Sequence, residues 1–178
     1  MVNSYFGIIA AHGYNLFGKV NDVTYMDGMA ALDGPTGPTG KAFTIGHYSL
    51  GPNGYKADWR DHLFVHEYGH YMQSQVFGPL YLPKIGIPSL LSAMCTSKWS
   101  KVEHGDRWFE VDANKRAAKH FDKKYGPKNN ENKDKYHFDK ELFINGGSTE
   151  YENLRIGNNV QQPHPVSGAT FVWWDLIL

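Results

Sequence analysis

Residues 58–78 have the sequence DWRDHLFVHEYGHYMQSQVFG, and residues 66–70 within it form the pattern His-Glu-x-x-His. On an α-helix, residues four apart lie one above the other on the same face. His66 and His70 can therefore direct two imidazoles at one zinc ion, while Glu67, one step around the helix, can act on a water beside the metal. About 0.02 such matches are expected by chance in a chain of this composition, so the pattern indicates a zinc site.

The ends of this helix are marked in the sequence. Asp58 is the predicted N-cap, and Asp61 follows it three residues later. Gly78 and Pro79 are expected to end the helix. The motif is therefore predicted to lie inside a capped helix, where its two histidines share one face.

The composition predicts one domain with a substantial core, because 178 residues are few for two domains. Basic and acidic residues balance at 18 each, so the charge gives no indication of a nucleic-acid surface. Cys95 is the only cysteine, which excludes a disulfide within the chain. We expect a single catalytic domain over residues 1–178 that acts on a protein or peptide and binds no nucleic acid.

The sequence gives no delivery signal. Residues 1–17 lack the positively charged start of a signal peptide. No run reaches the roughly 18 apolar residues of a membrane span, so we expect none. Apolar residues begin at the fifth position, so we interpret the chain as a domain excised from a larger protein whose delivery signals lie elsewhere.

The remaining segments predict short strands first and helices later. Residues 1–33 are punctuated by glycines and predict short strands and turns, and residues 41–50 predict a strand followed by a turn. Such a strand beside a peptidase cleft can pair with an extended substrate through its edge. The later predictions are an apolar loop over 79–88, a helix over 88–98 with a buried apolar stripe, a helix over 106–125, a solvated loop over 127–140, and an apolar tail over 171–178 that packs on the core.

A catalytic zinc site usually has three protein ligands, so the motif needs a third. A metzincin would continue with glycine at position 73 and histidine at position 76. The chain has Gln73 and Val76 there, which excludes that subclass. The other known arrangement takes a carboxylate from a second helix, and the helix over 106–125 offers Glu110 and Asp112.

The helical period separates these two carboxylates. Glu110 shares its face with Ala113 and Asn114, a side small enough to approach the first helix, whereas Asp112 lies about 200° away. We therefore predict Glu110 as the third ligand. Asn114, four residues later, can hydrogen-bond the free nitrogen of a liganding histidine and fix its tautomer. Three further residues stay open as alternative ligands: His104, Glu103 and Glu150.

Further segments of the chain accompany the motif. They are Gly-Pro-Leu-Tyr at 78–81, Gly-Ile-Pro-Ser-Leu-Leu-Ser-Ala at 86–93 and Trp-Phe-Glu-Val-Asp-Ala-Asn at 108–114. Together with residues 66–75, they resemble the C-terminal domains of RHS-repeat proteins from Bacteroidetes. Those domains look like gluzincin-type metallopeptidases and occupy the place of polymorphic toxin domains. The resemblance is close across residues 59–121 and weak after residue 126.

The resemblance implies zinc on His66, His70 and Glu110, with Glu67 as the base. It also implies a toxin or effector domain at the C-terminus of a larger secreted bacterial protein, delivered into a target cell, with an immunity protein as a further partner. The spacing from Glu110 to Asn114 is similar to the Glu-to-Asp pair of thermolysin-like enzymes, with Asn in place of Asp.

These inferences predict an α+β, zincin-like fold with an active-site helix, a second helix that supplies the Glu ligand and a small N-terminal sheet. The predicted function is zinc-dependent endopeptidase activity. The alternative is a catalytically silent zincin-fold module that keeps zinc for stability and binds a partner, which has no need for a base such as Glu67. The residue that stabilises the oxyanion stays open. Tyr151 and His164 lie in downstream loops marked by glycine and proline, but neither has a distinguishing context, and we expect a core tyrosine and a surface histidine.

Overall fold

The computed structural model of the chain describes residues 2–34, 41–94, 103–127 and 137–145. One helix is followed by four consecutive strands, and the described elements after them are helical, which confirms the α+β class. The helices are α1 (Val2–Leu16), α2 (His62–Phe77), α3 (Ile87–Met94), α4 (Trp108–Tyr125) and α5 (Lys140–Asn145). The strands are β1 (Asp22–Met26), β2 (Met29–Asp33), β3 (Phe43–Ile45) and β4 (Tyr48–Gly51).

The four strands form one mixed sheet in the order β1-β2-β4-β3. β1 and β2 are an antiparallel hairpin, β2 and β4 are parallel, and β4 and β3 are antiparallel. The first hairpin turns at Asp27 and Gly28, whose φ angles of 51° and 84° suit a two-residue turn of this kind. The predicted strand over 41–50 is thus a hairpin, and β3 lies at the edge of the sheet.

The tip of the first hairpin is attached to α4. The Asp27 carboxylate accepts hydrogen bonds from His120, at 3.0 Å, and from Lys124. Its main-chain carbonyl accepts a hydrogen bond from the Tyr68 hydroxyl of α2. Asp27, which occupies a tight turn, therefore also joins the sheet to α2 and α4.

The prediction of short strands and turns for residues 1–33 was wrong for its first half, where α1 forms. Its buried residues recur every fourth position: Asn3, Gly7 and Ala11. A Cβ on Gly7 would lie 2.3 Å from the carbonyl oxygen of Ile45. This glycine is needed for close packing of α1 on the sheet, and not for a turn.

Helix α2 begins later than predicted, with Asp61 as its N-cap. The Asp61 side chain accepts hydrogen bonds from the main-chain nitrogens of Leu63 and Phe64. Asp58, the predicted cap, is instead paired with Arg60 at 2.6 Å. The C-cap is Gly78, which confirms the predicted end of the helix.

Helices α2 and α4 cross closely above the core. A Cβ on Gly69 would lie 2.2 Å from the carbonyl oxygen of Ala113, so only glycine permits this separation. A cluster of mainly aromatic side chains, with some aliphatic ones, packs between the two helices and the sheet. The largest fully buried members of this cluster are Phe64, Phe121, Phe138, Phe143 and Met29.

The second half of the chain required three corrections. The apolar loop predicted over 79–88 is instead occupied by a 3₁₀ turn (Gly78–Leu80), a π-helical turn (Leu82–Gly86) and the start of α3. The stripe of α3 was predicted to be buried, but no residue of α3 is buried in the described chain. In the segment over 127–140, predicted to be solvated, Phe138 is fully buried because it packs against Phe121.

Other predictions for this half have mixed outcomes. Helix α4 agrees with the predicted helix over 106–125 to within two residues. The predicted end of the helix over 88–98 and the predicted packing of the apolar tail over 171–178 lie outside the described residues. Among the described helices, none is long and apolar enough to cross a membrane.

Candidate metal centre

His66 and His70 project from α2 toward Glu110 of α4. The Nε2 atoms of the two histidines lie 3.1 Å and 3.0 Å from the same carboxylate oxygen, Glu110 Oε2. The three possible ligand atoms all lie within 4.8 Å of one another. The structure therefore brings together the three residues that the sequence analysis selected, and the close crossing of α2 and α4 makes this possible.

The charges in this group favour a cation. Burial raises the pKa of the Glu110 carboxyl, but the hydrogen bonds from His66 and His70 outweigh it and hold that pKa well below its usual range. Burial lowers the pKa of His66, but Glu110 and the charge of Glu67 outweigh it and raise that pKa to about 9. The site thus stabilises positive charge between the two helices, which a proton or a metal ion can supply.

The donor set fits an ion of the size of zinc. Zinc binds imidazole nitrogen and carboxylate oxygen at about 2.0–2.2 Å, so neighbouring ligands in a tetrahedron lie about 3.3 Å apart. The two nitrogen-to-oxygen distances to Glu110, 3.0 Å and 3.1 Å, are close to that separation. Two imidazoles and one carboxylate, whose ligand atoms all lie within 4.8 Å of one another, are therefore a donor set that such an ion can use.

Both histidines are held through their second ring nitrogen. The Nδ1 of His66 lies 2.7 Å from Asn114 Oδ1, where the sequence analysis placed a residue of this role. The Nδ1 of His70 lies 2.9 Å from Gln73 Oε1. Gln73 was not among the predicted site residues, although its position one turn after His70 on the same helix was a usable signal.

The candidate ligands that fall within the described residues, other than the three above, lie outside this group. Asp112 faces away from it and accepts hydrogen bonds from Gln73 and Arg116. His104 Nε2 is 3.6 Å from the other Glu110 oxygen, Oε1, and Glu103 is exposed. The positions of Glu150, Tyr151 and His164 lie outside the described residues.

Glu67 is buried beside the three residues and is attached to the edge strand. The Thr44 hydroxyl of β3 donates a hydrogen bond to Glu67 Oε2 at 2.7 Å. The Tyr81 hydroxyl in turn donates to the Thr44 carbonyl at 3.1 Å. These contacts fix the direction of the Glu67 side chain relative to the sheet.

Glu110 is also attached to the opposite side of the site. The Ser89 hydroxyl of α3 donates a hydrogen bond to Glu110 Oε1 at 2.5 Å. One carboxylate oxygen therefore faces the histidines and the other is held by α3. Sequence reasoning had no signal for this serine, because the position of α3 relative to α4 depends on the turns that precede it.

One cleft of about 650 Å³ is lined by His66, Glu67 and His70 of α2 and by Glu110 of α4. No family model, curated protein or solved structure matches the chain. The chemistry of the site must therefore be inferred from its own residues. Much of the cleft wall is apolar and comes from β3 and the residue before it, from α2 and from α3: Ala42, Phe43, Ile45, Leu63, Ile87, Leu90 and Ala93.

Proposed function

We propose that the chain is a zinc-dependent endopeptidase of the zincin type, in which His66, His70 and Glu110 bind zinc and Glu67 is the general base. One observation carries this proposal. Two imidazoles and a buried carboxylate converge to within 4.8 Å, and Glu67 lies in the wall of the same cleft. Such a set of three ligands leaves a further coordination position for water or substrate.

The residues of the chain have distinct tasks in this reaction. A bound zinc ion supplies a Lewis acid that polarises a carbonyl oxygen and lowers the pKa of water. Glu67 removes the proton from the attacking water and transfers it to the leaving amine. Thr44 keeps the Glu67 carboxylate in place by its hydrogen bond to Oε2. Asn114 and Gln73 keep the two imidazoles oriented.

The cleft suits a peptide with apolar side chains. Ile87 and Leu90 of α3 line it and are 53% and 36% exposed, so they can bury apolar substrate groups. The edge strand β3 forms another wall and can offer main-chain groups to an extended substrate. Tyr81 already binds the Thr44 carbonyl, so substrate pairing along β3 would use other groups of that strand.

The test of this function is the Glu67→Gln variant, which keeps the shape of the side chain but removes the base. Zinc-reconstituted wild type and variant should both contain one zinc ion per chain. Cleavage of a diverse peptide library should fall by about 10²–10⁴-fold in the variant. A zinc content near zero in the wild type would refute the metal site. Zinc retention with equal cleavage would reject Glu67 as the base, and zinc retention with no cleavage by either protein would favour the catalytically silent module.

We further propose that this activity serves a toxin or effector role within a larger bacterial protein. The support is the resemblance of residues 59–121 to toxin-position domains and the intact base. Expression inside a test bacterium should harm the cells for wild type and not for Glu67→Gln. Mapping of new protein termini in those cells would identify the substrate. Equal harm from both proteins would separate toxicity from peptide hydrolysis.

A further inference from the structure

Gln73 is a fully buried amide in the centre of the α2–α4 interface. Its side chain is 0% exposed, and burial of an amide is costly unless its polar atoms are hydrogen-bonded. Oε1 lies 2.9 Å from His70 Nδ1. Nε2 donates to the Phe109 carbonyl at 2.7 Å and to Asp112 Oδ2 at 2.9 Å. An apolar residue would fill this position at lower cost, so the hydrogen bonds call for an explanation.

The partners of Gln73 determine which way its amide points. A main-chain carbonyl and a carboxylate can only accept hydrogen bonds, so the end of Gln73 that faces Phe109 and Asp112 must be the NH₂ group. The carbonyl end must then face His70. Because a carbonyl oxygen can only accept, the Nδ1 atom of His70 has to carry the proton.

A proton on Nδ1 leaves the metal-facing nitrogen able to act as a ligand. In a neutral imidazole one nitrogen is protonated and the other has the free electron pair. In His70 the second nitrogen is Nε2, which points at Glu110. Asp112 is itself fixed by Arg116, whose Nε donates to the same Oδ2 atom at 2.6 Å. The direction of the amide is thus set by α4.

We infer that Gln73 is the positioning residue of His70, aimed by the Phe109 carbonyl and by Asp112 so that the ring presents Nε2 to the metal. This inference rests on the proposed metal site. The rings of His66 and His70 are then oriented by residues of different helices. Asn114 of α4 contacts His66 directly, whereas His70 is oriented by a residue of its own helix that α4 holds in place.

Two substitutions at this position separate orientation of His70 from simple packing. Gln73→Met has a similar length but lacks the amide, so zinc affinity should fall by about 10–100-fold. Gln73→Glu keeps an acceptor for His70 and places a second negative charge beside Asp112. Because this carboxylate still accepts a hydrogen bond from His70 but has no NH₂ group for Phe109 and Asp112 to hold, zinc affinity should fall less than in Gln73→Met, and the folded state should be less stable. Gln75→Met, on the same helix but in contact with His47, is the control and should change neither quantity.

Zinc affinity is measured by competition with a chromophoric chelator, and stability by urea unfolding of the metal-free proteins. Wild-type affinity in Gln73→Met would overturn the inference, and so would a loss in Gln73→Glu as large as in Gln73→Met. If wild type itself bound no zinc, the proposed function would fall together with the inference. Normal zinc binding by wild type with no effect of Gln73→Met would overturn the inference alone.

A measurement on wild type covers the case in which the variants do not fold. Long-range proton–nitrogen NMR correlations of the zinc-loaded protein report which ring nitrogen of each histidine carries a proton. His70 should be protonated at Nδ1 and bound to zinc through Nε2. Coordination through Nδ1 would overturn the inference.

Discussion

Replacement of Gly69 by alanine tests whether the close crossing of α2 and α4 builds the metal centre. The added Cβ would lie 2.2 Å from the carbonyl oxygen of Ala113 and 2.5 Å from its carbonyl carbon. An ordinary contact begins at 3.4 Å, so the helices must separate by about 1 Å. The obstacle is main chain on the opposite helix, which cannot rotate away as a side chain would.

Two effects of opposite sign set the stability of Gly69→Ala. Alanine is favoured over glycine inside a helix by about 1 kcal/mol. Overpacking of a tight core typically costs about 1–3 kcal/mol, and a rigid main-chain clash belongs near the upper end. We therefore expect a net loss of about 2 kcal/mol in the free energy of unfolding.

The same movement should weaken the metal site. A shift of about 1 Å between the helices carries Glu110 away from His66 and His70, and metal sites tolerate only about 0.2 Å in their ligand distances. Zinc affinity should fall at least about tenfold, as it does when ligand positioning is lost in other ways. Stability is read from urea unfolding of the metal-free protein and affinity from chelator competition.

Gly13→Ala in α1 is the matched control for this substitution. Gly13 is also inside a helix, but a Cβ there would meet nothing within 4 Å. The free energy of unfolding of this variant should rise by about 0.5–1 kcal/mol, and its zinc affinity should equal that of wild type. If Gly69→Ala behaved like Gly13→Ala, the two helices would not cross as closely as described, and the account of the metal centre would be refuted.

Three further predictions concern the ligand set, the base and the hairpin tip. Glu110→Ala should abolish most zinc binding in chelator competition, whereas Asp112→Ala should lower zinc affinity far less. The reverse ranking would show that Asp112, and not Glu110, is the ligand. Thr44→Val should lower peptide cleavage while zinc content stays at the wild-type level, because Glu67 loses its hydrogen-bond donor; unchanged cleavage would argue against this role. Asp27→Asn should cost about 1 kcal/mol in urea unfolding near neutral pH. Burial raises the pKa of Asp27, but its two basic partners on α4 outweigh it and lower that pKa. The Asp27 carboxylate therefore stabilises the folded state above its unfolded pKa of about 3.9, and this stabilisation is lost as the pH falls through the folded pKa. The free energies of unfolding of the variant and of wild type should converge in acid.

Local sequence patterns were sufficient for the central helices and insufficient for α1. The helices α2 and α4 contain a helical period and end at glycine, and their predicted ends agree with the structure to within a few residues. In α1, Gly7 and Gly13 suggested turns. Gly7 is required because Ile45 of the sheet approaches the helix closely, and that approach exists only once the sheet is formed.

The buried stripe predicted for α3 failed for a related reason. Apolar residues at helical spacing predict a face that leaves water, but the pattern cannot tell a core from a cleft. Leu91 and Met94 are about half exposed in the described chain, and Leu90 lines the cleft. Under the proposed function, bound substrate buries part of this stripe, and the rest of the protein does not.

The choice of Glu110 over Asp112 depended on helix geometry alone, which is why it could be made from the sequence. The face that carries Glu110 also carries Ala113, whose main chain lies close to Gly69. The role of Gln73 needed more than one helix. Two of its hydrogen-bond partners lie 36 and 39 residues away, so a glutamine one turn after His70 becomes meaningful only when α4 supplies a carbonyl and a carboxylate. The ligands of such a site follow from periodicity within single helices, whereas the groups that orient them follow from the contact between helices.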